Sequence, residues 1–217
     1  MSEAGVAIWG ASGHGRVVLD AALASPGLSI VGFLDDDLGR KGQTFAGLPV
    51  LGGPEVLPRL MAEGLHRVHV AIGHCAIRQR IAASLASLGV ELQTIIHPRS
   101  VVARDVAVGE GTFIAAGVVV NSGTQLGKAA ILNTSCSVDH DCAVGDGVHV
   151  APGARIGGLV RIGSGTFIGI GATVLNCLTV GEQSILGGGA VAVRDIPAGV
   201  VAFGVPARVI REKRPNE

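Results

Sequence analysis

The chain has 217 residues, 34 of them glycine, with 48% apolar and only 3% aromatic side chains. Its 17 basic residues balance 17 acidic ones, which argues against a broad electrostatic surface for nucleic acid. No apolar run approaches membrane-spanning length. The opening MSEAGVAIWG lacks the charged segment and long apolar stretch of a signal peptide, so a cytoplasmic protein is expected.

From the N-terminus, Val6–Trp9 reads as a short strand that ends at Gly10-Ala-Ser-Gly13-His14-Gly15. A helical pattern covers Arg16–Ala24. Ser29–Leu34 reads as a second strand, ending in Asp35-Asp36-Asp37. Residues 42–53 read as irregular, with Leu48–Leu51 able to extend. Pro54–Glu63 reads as a short helix with proline at its start. Arg67–Ile72 is a third strand ended by Gly73, Ala76–Leu88 an amphipathic helix, and Glu91–Ile96 a fourth strand. Strand alternating with helix predicts a small parallel α/β sheet, a Rossmann-like half, over residues 1–96.

His97-Pro98 ends that domain, and a different period begins. Every sixth residue from Val102 to Leu186 is Val, Ile or Leu, without an insertion. The residue after each is often glycine, as at Gly109, Gly127, Gly163 and Gly181. The fifth residue of each six is small, as at Thr112, Ala130, Cys136 and Cys142. Neither a helical nor a simple strand period gives this pattern, whereas a hexapeptide repeat is the signature of a parallel β-helix. Three hexads make one triangular coil, so Leu132 should stack on Val150 and Val150 on Ile168. Glycines at and near the corners are expected to supply backbone angles that a Cβ opposes. Roughly five coils would give a rod about 24 Å long over residues 97–193. Cys136 and Cys142 are expected to be buried thiols, since no CxxC is present. Residues 194–217 read as an irregular tail that closes the open end.

Three constellations could carry chemistry. The turn at residues 10–15 presents backbone N–H groups and a helix N-terminus to an anion such as phosphate. Its spacing is G-x-x-G-x-G rather than the dinucleotide pattern G-x-G-x-x-G, and a ligand-free strand-to-helix turn is the plain alternative. Asp35 and Asp36 end the second strand, where an acid can accept hydrogen bonds from a ribose or base. Gly73-His74 shares that edge, and Arg78 is expected to be solvated, or else to face a phosphate. The third is Asn133-Thr-Ser-Cys-Ser-Val-Asp139-His140-Asp141. His140 and Asp141 hold outward positions in a repeat otherwise filled with small residues. A carboxylate beside an imidazole can orient one ring nitrogen and favour the imidazolium formed when the other takes a proton. His149 lies nine residues on, either packed or reaching a neighbouring subunit. His97, His140 and His149 are spaced so that three imidazoles do not converge, so no zinc is expected.

The segments GASGHG, FLDDD, AIGHCAIRQRI, IHP, NTSCSVDHD and GVPARVI together resemble the left-handed β-helix sugar acyltransferases. Within that class the chain is similar to the nucleotide-sugar N-acetyltransferases and the sialic acid O-acetyltransferase-like proteins. The resemblance implies a homotrimer with active sites between rods, acetyl-CoA as co-substrate and no metal. It implies His140 as the base with Asp141 as its partner, where relatives often have Glu. Asn133, His149, Gly158, Gly188, Gly204 and Arg208 would lie along the CoA. Gly10, Ser12, Gly13, His14, Asp35, Asp36 and Gly73 would hold the nucleotide sugar, of UDP or GDP type. The expected reaction is N-acetylation of an amino sugar of the 4-amino-6-deoxyhexose type. Sugar O-acetylation, a non-catalytic nucleotide-binding trimer and zinc-dependent hydration stand as alternatives.

Overall fold

The computed structural model describes residues 5–214. Residues 1–4 and 215–217, the outer ends of the first and last expected segments, lie outside the described residues. Short runs between glycine turns form short strands: β1 (Val6–Trp9), buried throughout, and β2 (Ile30–Leu34) and β5 (Arg67–Val70), each buried over its last three residues. They run parallel, with β1 in the middle. Helices α1 (Gly13–Ala24), α2 (Leu57–Ala62) and α3 (Cys75–Ser87) connect them. Residues 42–53 are not irregular. They form β3 (Thr44–Phe45) and β4 (Leu48–Gly52), a hairpin whose second strand extends the parallel sheet beside β2. Ala46 and Gly47 close it with φ of 47° and 84°, the geometry a two-residue hairpin turn demands. Ala-Gly is a weak turn signal, which is why the sequence hid it.

The expected fourth strand splits in two. Its first part, β6 (Glu91–Leu92), pairs with β5, and its second, β7 (Ile95–Ile96), pairs with Phe113–Ile114 of the rod. The rod's pairing therefore begins before His97. Helix α1 likewise begins at Gly13, so the second half of the glycine turn is already helical.

The hexads wind into a left-handed parallel β-helix with three sides, of eight, six and five strands. Side one carries β7, Phe113–Ile114, Ile131–Leu132, His149–Val150 and Phe167–Ile168. Side two carries Val119–Val120, Ser137–Val138, Arg155–Ile156 and Thr173–Val174. Side three carries Gln125–Leu126, Ala143–Val144 and Arg161–Ile162. Each strand pairs with the one eighteen residues on, Leu132 with Val150 and Val150 with Ile168. The aliphatics from Ile114 to Leu186 are buried, and Cys136 and Cys142 are buried beside them.

The glycines have two separate jobs. Every sixth residue from Gly111 to Gly189, the fourth of each hexad, has φ between 49° and 75°. That corner is left-handed whether it holds Gly or, as at Ala129, Ser135, Asp141 and Leu159, a residue with a side chain. The glycines that follow the aliphatics serve close approach instead. A Cβ at Gly163 would stand 2.3 Å from the backbone nitrogen of Glu182 in the next coil. Fifth-position hydroxyls also tie coil to coil. Thr124 Oγ1 donates to Asp139 O at 2.8 Å and accepts from Cys142 N–H at 3.2 Å.

The tail is not irregular. Val200–Phe203 adds to side one beside Ile185–Leu186, and Arg208–Glu212 folds back on it antiparallel. The N-terminal domain sits on side one, and Ile8, Val18 and Phe33 share one apolar cluster with the rod's core. No helix among the described residues is long and apolar enough to cross a membrane.

Candidate active site

The carboxyl edge of the N-terminal sheet is built around the turn after β1. Gly10 has φ of 117°, and a Cβ on Gly15 would lie 2.0 Å from Gly10 O, so both glycines are needed by the turn itself. Gly13 differs: a Cβ there would meet nothing within 4 Å. Its bare backbone stands at the N-terminus of α1, beside the uncommitted hydroxyl of Ser12. Exposed N–H groups and the helix dipole suit an anion there. Asp35 is committed to the turn. Its Oδ2 accepts from Ala11 N–H at 2.8 Å and its Oδ1 from Asp37 N–H at 2.9 Å. Asp36, by contrast, is exposed and makes no hydrogen bond or ion pair among the described residues. Arg40, which the sequence did not single out, donates to Ala11 O and steadies the turn from the other side.

His140 stands at the edge between sides two and three. Its Nδ1 lies 2.9 Å from Asp141 Oδ2. Asp141 occupies the left-handed corner with φ of 56°, a conformation that aspartate tolerates better than most residues. Asp139 Oδ1 accepts from His140 N–H at 2.9 Å and from Asn121 Nδ2 at 2.7 Å. The Asp141 hydrogen bond, reinforced by the charges of Asp139 and Asp141, raises the His140 pKa. A Cβ on Gly158 would fall 2.6 Å from His140 Nε2, so glycine there is what lets the ring lie across the next coil. The Gly158 N–H donates to nothing among the described residues. On side two, next to this edge, Asn121, Asp139, Arg155 and Asn176 line a shallow groove.

His149 does not reach outward toward another subunit. It is 8% exposed and faces its own N-terminal domain, with Nδ1 3.0 Å from Gly73 O. Its Nε2 is 3.2 Å from Asn133 Nδ2, and Asn133 Oδ1 accepts from Thr134 N–H. His14 lies 6.3 Å from His149, edge-on to Phe113. Burial, then the charge of Arg78, pushes both histidines down to about 4. Arg78 is neither solvated nor turned to a phosphate: it is 1% exposed and spent on backbone carbonyls. Gly73, His74, His149, Phe167 and Lys213 line a cleft of about 380 Å³ between the domain and side one.

These groups form two half-sites. Asn133 lies where side one meets side two, with His149, Gly73 and His14 on the side-one flank. His140, Asp141 and Gly158 lie across the full width of side two. Gly188 is on the first edge, where a Cβ would first meet Ile170 O at 3.4 Å. Gly204 and Arg208 flank the turn that bonds to Val191 on side two. Val191 is three coils above Ser137, roughly 14 Å at strand spacing. Among the described residues no three His, Cys, Asp or Glu side chains converge so as to hold a metal ion.

Residues 5–85 match the family model of the PglD N-terminal domain. Over 148 residues the chain is 38% identical to the GDP-perosamine N-acetyltransferase of Escherichia coli O157:H7, an alignment spanning 66% of this chain and 67% of that relative. Among solved structures, PerB from Caulobacter crescentus in complex with CoA and GDP-perosamine superposes with a TM-score of 0.90 and 39% identity, covering 94% of this chain and 96% of that one. The acetyltransferase domain of PglB from Neisseria gonorrhoeae FA1090, in complex with acetyl coenzyme A, gives a TM-score of 0.89 and 36% identity, covering 96% and 100%.

Proposed function

Since the chain belongs to the left-handed β-helix family of nucleotide-sugar N-acetyltransferases, we propose that it transfers acetyl from acetyl-CoA to the amino group of a GDP-linked amino sugar. The choice of GDP follows the relatives named for GDP-perosamine. The observation that carries the reading is the His140–Asp141 pair at 2.9 Å, with Nε2 free at an exposed edge and the Gly158 N–H beside it.

Asp141 accepts from Nδ1–H and leaves the lone pair on Nε2. The sugar amine attacks the thioester carbon, and Nε2 takes the proton that nitrogen loses. The Gly158 N–H is the donor assigned to the developing oxyanion. As the tetrahedral adduct collapses, the C–S bond breaks and the imidazolium protonates the departing thiolate. The nucleotide lies along Ser12, Gly13 and Asp36, with Gly10 and Asp35 shaping the turn beneath it. His14 and Gly73 lead toward the sugar. CoA runs in the groove between two copies, past Gly158 of one and Gly188 of the next, toward Gly204 and Arg208.

The two half-sites cannot meet within one chain, because side two separates them. A homotrimer would bring the His140 edge of one copy against the Asn133 edge of the next. Wild-type protein is incubated with acetyl-CoA and the GDP- and UDP-linked amino sugars, with product read by mass. His140→Ala should lose on the order of 10²–10⁴-fold in kcat while staying folded. Co-assembling His140→Ala with Asn133→Ala should restore activity at the sites that receive both wild-type residues. Near-wild-type turnover by folded His140→Ala, or acetylation only of a hydroxyl analogue, would overturn the reading.

A further inference from the structure

Arg78 is the largest fully buried side chain among the described residues, and no carboxylate faces it there. A buried guanidinium usually needs a counter-charge or a full set of acceptors, and here the acceptors are carbonyls from two domains. Nη1 donates to Ile72 O at 2.7 Å and Gly73 O at 3.1 Å, in the turn between β5 and α3. Nε donates to Ala129 O at 2.7 Å, and Nη2 to Gly147 O at 2.7 Å and Val148 O at 3.3 Å, all on the rod. The neighbouring Gln79 adds a bond to Asp146 O at 2.9 Å.

The Gly73 carbonyl that Arg78 holds is also the partner of His149 Nδ1. A carbonyl only accepts, so Nδ1 carries the hydrogen and Nε2 is left as an acceptor. Asn133 must then turn its Nδ2 toward His149 and its Oδ1 toward Thr134 N–H. The opposite histidine tautomer, or the imidazolium, would put two donors face to face and force the amide to flip.

We propose that Arg78 is a positioning residue for acetyl transfer: by gripping the Gly73 carbonyl it holds His149 as the neutral Nδ1–H tautomer and so fixes the orientation of Asn133 at the active-site edge. This rests on the acetyltransferase reading above. The groups facing His149 agree with it. Arg78 comes from α3 and His14 from α1, while His74, Cys75 and Lys213 line the adjoining cleft. None of them is a carboxylate that would stabilise an imidazolium. Lysine cannot replace Arg78, because one ammonium cannot span carbonyls on opposite sides of a planar fork.

The test is 15N-detected NMR of the histidine rings, with His149 identified by its loss in His149→Gln, alongside pH–rate profiles. In the wild type, His149 should be the Nδ1–H tautomer and stay unprotonated from pH 8 to about pH 5. In Arg78→Gln the titration should move up from about 4 but stay below the free value, because burial, the larger cause, remains. Arg78→Lys keeps the charge but loses the grip on Gly73 O. In both, kcat should fall on the order of 10²-fold, with a second acid limb in Arg78→Gln. Loss of packing alone would lower the folded fraction without adding that limb. A folded Arg78→Gln with the wild-type profile overturns the proposal. Should both variants fail to fold, the wild-type spectrum decides, since an Nε2–H tautomer or titration above pH 6 overturns it as well. A wild type that shows the expected tautomer but transfers no acetyl group would instead overturn the activity.

Discussion

At the scale of single residues, the site depends on two contacts that can be changed one atom at a time. Asp141→Asn keeps the left-handed corner, since asparagine also tolerates that conformation, and removes only the charge. Asp141 is the first cause of the raised His140 pKa. The base works only when neutral, so kcat/KM should fall as pH drops through that raised value. In Asp141→Asn the acid limb should therefore move to lower pH, with a reduced plateau because the ring is less firmly aimed. A limb that stays put would remove Asp141 from the pair. Gly158→Ala tests the other contact. Its Cβ would sit 2.6 Å from His140 Nε2, and because the ring is exposed it can swing away. Turnover should drop on the order of 10²-fold with little change in melting temperature, and wild-type turnover would show that the ring's place over Gly158 is unimportant. The His140–Asp141 pair was legible in sequence because it stands out from a repeat of small residues. The fates of Asp35 and Arg78 were not. Each is decided by partners distant in the chain, Ala11 for one and Ala129 and Gly147 for the other, and no local pattern announces them.

At the scale of elements, the hexad explains both what could be read and what could not. Stacking at eighteen residues follows from the period alone, and the pairs Leu132–Val150 and Val150–Ile168 obey it. The division of labour among the glycines does not follow, because a missing side chain looks the same whether φ or close packing requires it. The two jobs predict different costs. At Gly163 an added Cβ meets the backbone nitrogen of Glu182 at 2.3 Å and its Cα at 2.6 Å. Neither can move without parting the coils, so Gly163→Ala should cost about 1–3 kcal/mol. At Gly171 the φ is 64° but a Cβ meets nothing within 4 Å. Gly171→Ala should cost roughly 1 kcal/mol, and the fold already accepts alanine at such a corner, with φ of 49° at Ala129. Urea unfolding of the two variants should rank them in that order. The reverse ranking would mean that backbone strain, not coil spacing, limits the rod. The junction was misread for a related reason. Glu91–Ile96 reads as one strand by its pattern, but its two halves pair with different domains.

At the scale of the molecule, the joint between the domains sets, beside the Arg78 guanidinium, three histidines that must stay uncharged. His69 is 1% exposed, with Nδ1 2.7 Å from Gln93 O, and its ring lies 6.0 Å from Phe113. His14 packs on the same Phe113 and His149 on Gly73. All three histidines are pushed down to about 4, chiefly by burial. Unfolded histidine binds its proton near pH 6.5. Between 6.5 and about 4 the unfolded chain therefore holds protons that the folded chain refuses. Stability is unaffected above that window and falls as pH decreases through it, by up to about 1.4 kcal/mol per unit for each histidine. His140 has the opposite sign, since its raised pKa favours the fold at low pH, but it is exposed and weighs little against three buried rings. Because the three cluster at the joint, acid should loosen the N-terminal domain from side one before it melts the rod, whose own aliphatic stack contains no titrating group. Trp9, the single tryptophan, is buried in β1 and reports on the first domain alone, whereas exchange protection of the amides in the coils reports on the rod. On acidification from pH 7 to 4, Trp9 fluorescence should change at a higher pH than the loss of amide protection in the coils, and His69→Gln should narrow the gap. Coincident transitions, or a stability that stays flat from pH 7 to 5, would show that the joint does not depend on neutral histidines.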